Sequence, residues 1–537
     1  MGNIGTYEET RKNFQWNVPE NFNFGRDVVD RYAKDRTKLA FFYEDVKGRR
    51  AKYSFWEVSR LSNRVGNMLR DLGVKKGDPI LVLLQNVPEW FFTVVAGNKI
   101  GALVIPCSDQ LRPKDLVYRA LHSGARTIIS WDAKTAEVDE IRRDCPDLVN
   151  FICVGEKREG WMSFDEEAAK ASTQLEIVDN KASDPALVYY TSGTTGNPKA
   201  VQHSHFYTGA HWVTGNYWLD LRPTDLIWCI AGTGWAKAAW SVLYGPWNNG
   251  AASLVVNAPF DPKRALSLIE EYEVTVLCAP PTAYRTFVKE YLGKYKVPNL
   301  RHCVGAGEPL NPEVIKTWKD AFGLTIHDGY GQTETINLVA NFAGMPVKPG
   351  SMGLPVPGHE VAVIDESGNE EAPGEVGEIA LKGRPPSMFM GYWKDEKLTK
   401  ECFRGDWYLT GDRAYRDHDG YFFFVGRGDD VIISSGYRIG PFEVESALIE
   451  HPSVAESAVV SSPDPIRGEI VKAYVVLRPG IPPTEALKKE LQAHVKNVTA
   501  PYKYPRDIAF VTDLPKTTSG KIRRVELRAR EWKKGPG

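Results

Sequence analysis

Through the first two-thirds of the chain, short apolar runs alternate with segments whose apolar residues recur at helical spacing. Ile80–Leu84, Ala102–Ile105, Arg126–Ser130 and Phe151–Val154 read as strands, with Pro88–Asn98 a helix between the first two. Ala186–Tyr190 reads as a buried strand. Leu226–Ile230, Ser253–Val256 and Val274–Cys278 follow, with Pro262–Tyr272 among the helices that separate later strands. Strands alternating with helices at this spacing predict an α/β fold of parallel sheets covered by helices on both faces. A ligand is then expected beyond the C-terminal strand ends, where the loops gather.

Near Lys348 the texture changes. From there to Phe424 the chain is rich in Gly and Pro, with short alternating strands such as Glu360–Ile364 and Gly377–Lys382, which predicts a small antiparallel β-barrel or sheet. After Arg427 the pattern is α+β: helices at Pro441–Glu450 and Thr484–Lys496, strands near Ala455–Ser461 and Val471–Leu477. At 537 residues the chain exceeds what one core supports. The predicted division is a large domain over 1–428, its barrel part at about 348–428, and a small domain over 429–537. The boundary falls at Gly428–Asp430.

Composition narrows the function classes. Hydrophobic residues are 42% and charged residues 25%, as in soluble globular proteins, and no apolar run reaches membrane-spanning length. The formal net charge is −1, from 67 basic and 68 acidic residues, so no global field favours nucleic acid or an anionic membrane. The seven cysteines are scattered and never spaced as Cys-x-x-Cys, which argues for reduced thiols and against zinc or a disulfide framework. A cytoplasmic location is expected on that basis, with no signal peptide before Phe14. Met1–Thr6 fits the N-myristoylation pattern, a match loose enough to arise by coincidence.

The chemistry concentrates in separated clusters. Thr191-Ser192-Gly193-Thr194-Thr195-Gly196-Asn197-Pro198-Lys199 follows the strand Ala186–Tyr190. Glycines let backbone N–H groups approach a polyphosphate, hydroxyls add hydrogen bonds, and Lys supplies a point charge. The common P-loop spacing is absent, because Gly193 and Gly196 are too close and Pro198 precedes Lys199. The plain alternative is a solvated Ser/Thr/Gly connector. Asp328-Gly329-Tyr330-Gly331-Gln332-Thr333-Glu334 offers an aromatic for a flat base, a hydroxyl for phosphate and a hard oxygen ligand for Mg²⁺. Its alternative is a turn and a capped helix start. Asp412 can accept from ribose hydroxyls, while Arg427 and Arg438 are planar forks for phosphate. Last comes Leu514–Arg524, with Lys521 on a Gly-containing loop, a setting that is usually solvated surface.

In this order the motifs resemble the acyl-adenylate-forming superfamily of acyl- and aryl-CoA synthetases, luciferases and adenylation domains, over about Phe41 to Trp532. Ser434–Pro441, Ser462–Gly468 and Thr499–Arg506 are similar to the medium-chain acyl-CoA synthetase branch. The resemblance implies MgATP, coenzyme A and a small carboxylic acid as reactants, and two half-reactions at one site: acyl-adenylate formation with pyrophosphate release, then transfer to the CoA thiol. It assigns Thr191–Lys199 to the β- and γ-phosphates, Gly307-Glu308-Pro309 and Tyr330 to adenine, and Asp412 to ribose. Asp328, Gly329, Gly331 and Gln332 belong to the same nucleotide motif. Thr333 and Glu334 would hold the α-phosphate and Mg²⁺, Arg427 and Arg438 the nucleotide. Lys521 would bridge the substrate carboxylate and α-phosphate. It also makes the C-terminal domain a mobile lid hinged at Asp429. In its second pose Ser435, Gly436 and Tyr437 would face the pantetheine arm, with Arg467, Lys496 and Tyr504 on the CoA nucleotide. Gly234, Trp235 and Gly305 would line the acyl pocket, although Trp235 also suits ordinary core.

Gly232 stands where that branch commonly carries an acid, Asp328-Gly329 replaces a Glu-Ser pair, and Tyr330 replaces the Trp of acetate-specific relatives. Strict acetate specificity is therefore not expected; medium-chain, short branched and aromatic acids all remain. The rivals are an aryl-CoA ligase of benzoate type, an acyl-AMP transferase to another thiol, a carrier-dependent adenylation domain, a luciferase and a non-catalytic nucleotide sensor. Nucleic acid and integral membrane contacts are not expected, and homo-oligomerisation stays open.

Overall fold

The apolar runs become strands that pair mostly in parallel, as burial on both faces requires. In the computed structural model the described residues are 2–191, 197–434, 437–465, 467–517 and 521–534, with the side chains of 438 and 534 outside the description. Pro79–Leu83, Leu103–Pro106, Thr127–Trp131, Asn150–Val154 and Pro185–Thr191 belong to an eight-stranded sheet. Helix Pro88–Ile100 covers it, buried along most of its length. Directly after Thr191 the regular alternation breaks. The chain doubles back as an antiparallel strand, Lys199–Ser204, in which Thr191 faces Lys199, and helix His205–Val213 comes only afterwards.

A second sheet runs in parallel through Leu39–Asp45, Ala252–Asn257, Leu226–Cys229, Val276–Ala279, His302–Ala306 and Ile326–Gly331. It then turns antiparallel through Asn337–Ala340 and Ser351–Pro355. The glycine- and proline-rich region adds Phe422–Arg427, Trp407–Arg416, Gly377–Lys382 and Val361–Ile364, so this antiparallel unit continues the second sheet edge to edge. The N-terminal segment packs against that end: Tyr7 donates to the Pro355 carbonyl at 2.8 Å, and a Cβ on Gly2 would lie 2.1 Å from the Ala343 oxygen.

The C-terminal lobe has its own five-stranded sheet and a core that includes Ile432, Val444, Leu448, Val459, Leu491 and Val495. Its last helix, Arg524–Lys534, packs on the strand Val454–Asp464. Buried Glu531 accepts from Tyr474 and from Ser462, and Arg524 grips the Glu445 carboxylate at 2.9 and 2.6 Å. Among the described residues no helix is long and apolar enough to cross a membrane.

Candidate active site

The nucleotide motif 328–334 is the end of a strand, not a helix start. Gly329 and Gly331 are there for close packing: a Cβ would fall 2.6 Å from the Trp218 indole or 2.3 Å from the Ile336 carbonyl oxygen. With both glycines in place, Tyr330 reaches across to the antiparallel strand and donates to Asp412 Oδ2 at 2.6 Å. Gln332 donates to the same oxygen at 2.7 Å and is itself held by the Tyr408 hydroxyl at 2.9 Å. Arg427, paired with Asp412 across two strands, brings Nε to 3.3 Å from Oδ1. Burial pushes the Asp412 pKa up, and Arg427, Tyr330 and Gln332 pull the other way. Oδ2 is therefore doubly engaged, while Oδ1 faces Arg427.

Glu334 is half-buried. Its Oε1 accepts from Tyr392 at 2.8 Å, and its backbone oxygen accepts from Phe389 N–H at 2.8 Å. Tyr392 sits on a short strand added beside Lys199–Ser204, which places the Lys199 ammonium 5.2 Å from its ring centre. Burial raises the Glu334 pKa, opposed by the Tyr392 bond and by the charges of Lys199 and Arg427. Thr333 precedes it in the same turn, partly exposed. Among the described residues no cluster of three or more His, Cys, Asp or Glu forms a metal cage. A single carboxylate beside a hydroxyl suits a hard ion that keeps water and phosphate oxygens in its shell, as Mg²⁺ does.

Opposite lies the turn after His302–Ala306. Gly307 has φ +100°, a backbone conformation that favours glycine. Glu308 is fixed by Thr282 and Arg285, each at 2.6 Å. Lys237 donates to the Ala306 carbonyl at 2.8 Å, and its charge opposes the strong upward pKa shift that burial imposes on Asp328.

Lys521 comes from the other lobe. Its side chain still reaches solvent, yet protein crowds it closely enough to lower its pKa. Glu308 and Asp412 act to raise that pKa, Lys237 and Arg427 to lower it. Those charges come from four separated positions of the large domain, 237, 308, 412 and 427.

The remaining candidates divide. Ser192, Gly193, Thr194, Thr195, Gly196, Ser435 and Gly436 lie outside the described residues, as does the side chain of Arg438. Tyr437 is exposed and stacks on Tyr502 at 4.3 Å. The Lys496 ammonium sits 4.0 Å from the Tyr504 ring centre, and Arg467 N–H donates to Asp464. All three contacts are internal to the small lobe. Trp235 is half-buried at the start of a helical turn. Gly234 allows a close approach to Ser108, where a Cβ would lie 2.3 Å from N. A Cβ on Gly305 would face Leu310, the Ala279 oxygen and Ile326. Tyr392, Arg285, Thr282 and Lys237 were not singled out by the motifs, because each acts on a partner distant in sequence.

The model of the AMP-binding enzyme family matches residues 26–393, and that of its C-terminal domain matches 443–521. The chain belongs to this family. It is 46% identical to acyl-coenzyme A synthetase ACSM3, mitochondrial, of Rattus norvegicus over 99% of this chain and 94% of that protein. It is also 46% identical to the human acyl-coenzyme A synthetase ACSM4, mitochondrial, over 96% and 92%. Among solved structures of such AMP-binding enzymes, an anthranilate CoA ligase, AuaEII, in complex with anthranoyl-AMP matches with TM-score 0.88 and 32% identity, covering 96% of this chain and 98% of that one. A benzoate CoA ligase from Burkholderia xenovorans matches with TM-score 0.84 and 30% identity, covering 94% and 100%. The cytoplasmic expectation is corrected by these relatives, which are named mitochondrial. Scattered reduced thiols indicate a reducing compartment, and they do not separate one such compartment from another.

Proposed function

We propose that this AMP-binding enzyme is an ATP-dependent acyl-CoA synthetase. It joins a carboxylic acid to AMP with release of pyrophosphate, then passes the acyl group to the CoA thiol with release of AMP. The observation that carries the reading is the side-chain cluster in which Tyr330, Gln332 and Arg427 converge on Asp412 while Tyr392 fixes Glu334 beside Lys199. The first step brings a carboxylate against a triphosphate, so fixed positive charge is what the transition state needs. Lys521 supplies it at the carboxylate and α-phosphate, and Lys199 at the leaving pyrophosphate. Asp412 holds ribose, with Tyr330, Gln332 and Arg427 fixing the carboxylate. Glu334 and Thr333 would hold Mg²⁺, which offsets phosphate charge when bound. In the second step the small lobe turns about Asp429 and offers the Ser435–Tyr437 face, with Arg467, Lys496 and Tyr504 toward the CoA nucleotide.

The acid is medium-chain, short and branched, or aromatic. The likeness to anthranilate and benzoate CoA ligases favours an aromatic acid as the second reading. The test is AMP release with CoA across C2 to C12, branched and aromatic carboxylates. AMP formation that needs both an acid and CoA supports the proposal. Absence of AMP with every acid would overturn it.

A further inference from the structure

Two side chains on one helix of the large domain hold the approaches to Lys199. Tyr118 and His122 stand one turn apart on the helix Pro113–Ser123, their rings stacked with centres 5.5 Å apart and 24° between planes. The Tyr118 hydroxyl donates to the Pro198 carbonyl at 3.2 Å. His122 Nδ1 shares a hydrogen bond with the Tyr190 hydroxyl at 2.8 Å. Tyr190 is next to last in the strand Pro185–Thr191, and Pro198 immediately precedes the strand Lys199–Ser204, so the two bonds fall on the two flanks of Thr191–Lys199. The helix is a firm base for them: Leu116 and Ala120 are buried in the core that also holds Leu81, Ile105 and Val188. Its last turn is tied to the same region again. Lys394 donates to the His122 carbonyl at 2.6 Å, and Trp393 N–H donates to the Ala200 carbonyl at 2.7 Å.

We infer that Tyr118 is a positioning residue for Lys199, acting through the Pro198 carbonyl, while His122 steadies the opposite flank at Tyr190. This rests on the reading above, in which Lys199 meets the leaving pyrophosphate. Thr191 and Lys199 are the last register pair of their ladder, so strand pairing does not fix the chain beyond them. The Pro198 carbonyl and the Lys199 N–H belong to one peptide plane, and a bond that orients the carbonyl orients the start of Lys199 as well. Pro198 has no N–H and a fixed φ, which leaves the carbonyl as its one backbone handle and ψ as the torsion that the Tyr118 bond sets. From that start the Lys199 ammonium ends 5.2 Å from the ring centre of Tyr392, whose hydroxyl holds Glu334. Packing needs only the Tyr118 ring; the hydroxyl is the part that reaches Pro198.

The test uses the full chain with Tyr118→Phe, which keeps the ring and removes the hydroxyl, beside Lys199→Met. Calorimetry in the presence of Mg²⁺ reads the affinity for α,β-methylene-ATP and for AMP, which lacks the β- and γ-phosphates. Tyr118→Phe should weaken the triphosphate about fivefold, the size of one hydrogen bond, and leave AMP within about twofold. Lys199→Met should show the same selectivity with a larger loss. Thioester formation from supplied acyl-AMP uses no triphosphate and should stay within about twofold in Tyr118→Phe. A triphosphate affinity unchanged in Tyr118→Phe while Lys199→Met loses it overturns the inference alone. An equal loss of triphosphate and AMP also overturns it, because that marks a general loss of packing. If Lys199→Met leaves the triphosphate unweakened, the phosphate assignment of Lys199 is what fails, and the role of Tyr118 falls with it.

Discussion

Tyr392 shows how much of this site depends on side chains that themselves touch no reactant. Its hydroxyl fixes Glu334 Oε1 at 2.8 Å, so Tyr392→Phe removes an orienting bond while leaving the ring beside Lys199. Partners of a metal-binding group typically contribute 10- to 100-fold, so adenylation should fall by about tenfold and require more Mg²⁺. A Mg²⁺ titration of ATP–pyrophosphate exchange checks this; an unchanged half-saturation would speak against Glu334 as the ion's ligand. Lys521 gives a pH signature. Crowding lowers its pKa, so it loses its charge at lower pH than free lysine, and the alkaline limb of adenylation should begin correspondingly early. Guanidinium stays protonated there, so Lys521→Arg should move that limb upward even if the rate is lower. A limb that stays in place would implicate another group. Sequence pattern singles out chemistry that is contiguous, as in 328–334, whose Tyr330 and Gln332 the fold brings to Asp412. It does not reach Tyr392 and Arg285, whose partners stand 58 and 23 positions away. Local pattern carries no record of such pairings.

Elements were legible where burial is two-sided. Gly377–Lys382 and Pro441–Glu450 match their expected limits, whereas the helix Phe55–Asp71, capped reciprocally by Ser54 and Glu57, was not among the expected elements. Pairing across long separations was not legible: Gly391–Tyr392 adds to the edge of Lys199–Ser204, and that placement delivers Tyr392 to Glu334. The same long-range pairing joins the expected small barrel to the second sheet through Asn337–Ala340 and Ser351–Pro355. In the small lobe, Arg524 and Glu445 form a pair in which the carboxylate is buried and also accepts from Val459 N–H at 2.7 Å. Glu445→Ala leaves both donors unsatisfied, and breaking a buried pair of this kind costs about 3 kcal/mol. Urea unfolding followed on the small lobe should show a loss of that order. A change well under about 1 kcal/mol would mean that the pair does not anchor the last helix.

At the scale of the molecule, the C-terminal lobe has a core of its own, and the change in sequence texture leads to an expected division at 428–430. The compartment was not visible, because reduced cysteines are compatible with more than one reducing environment. The lobes touch where Asn311 donates to Ser446 at 3.0 Å, and Lys521 is the small-lobe residue proposed to reach the nucleotide. The most direct test is to measure both half-reactions in Lys521→Ala with an acid that the unaltered protein activates. Adenylate formation should fall at least about 100-fold, because a donor to developing charge is lost. Thioester formation from supplied acyl-AMP should stay close to that of the unaltered protein. Equal loss in both steps would contradict the account.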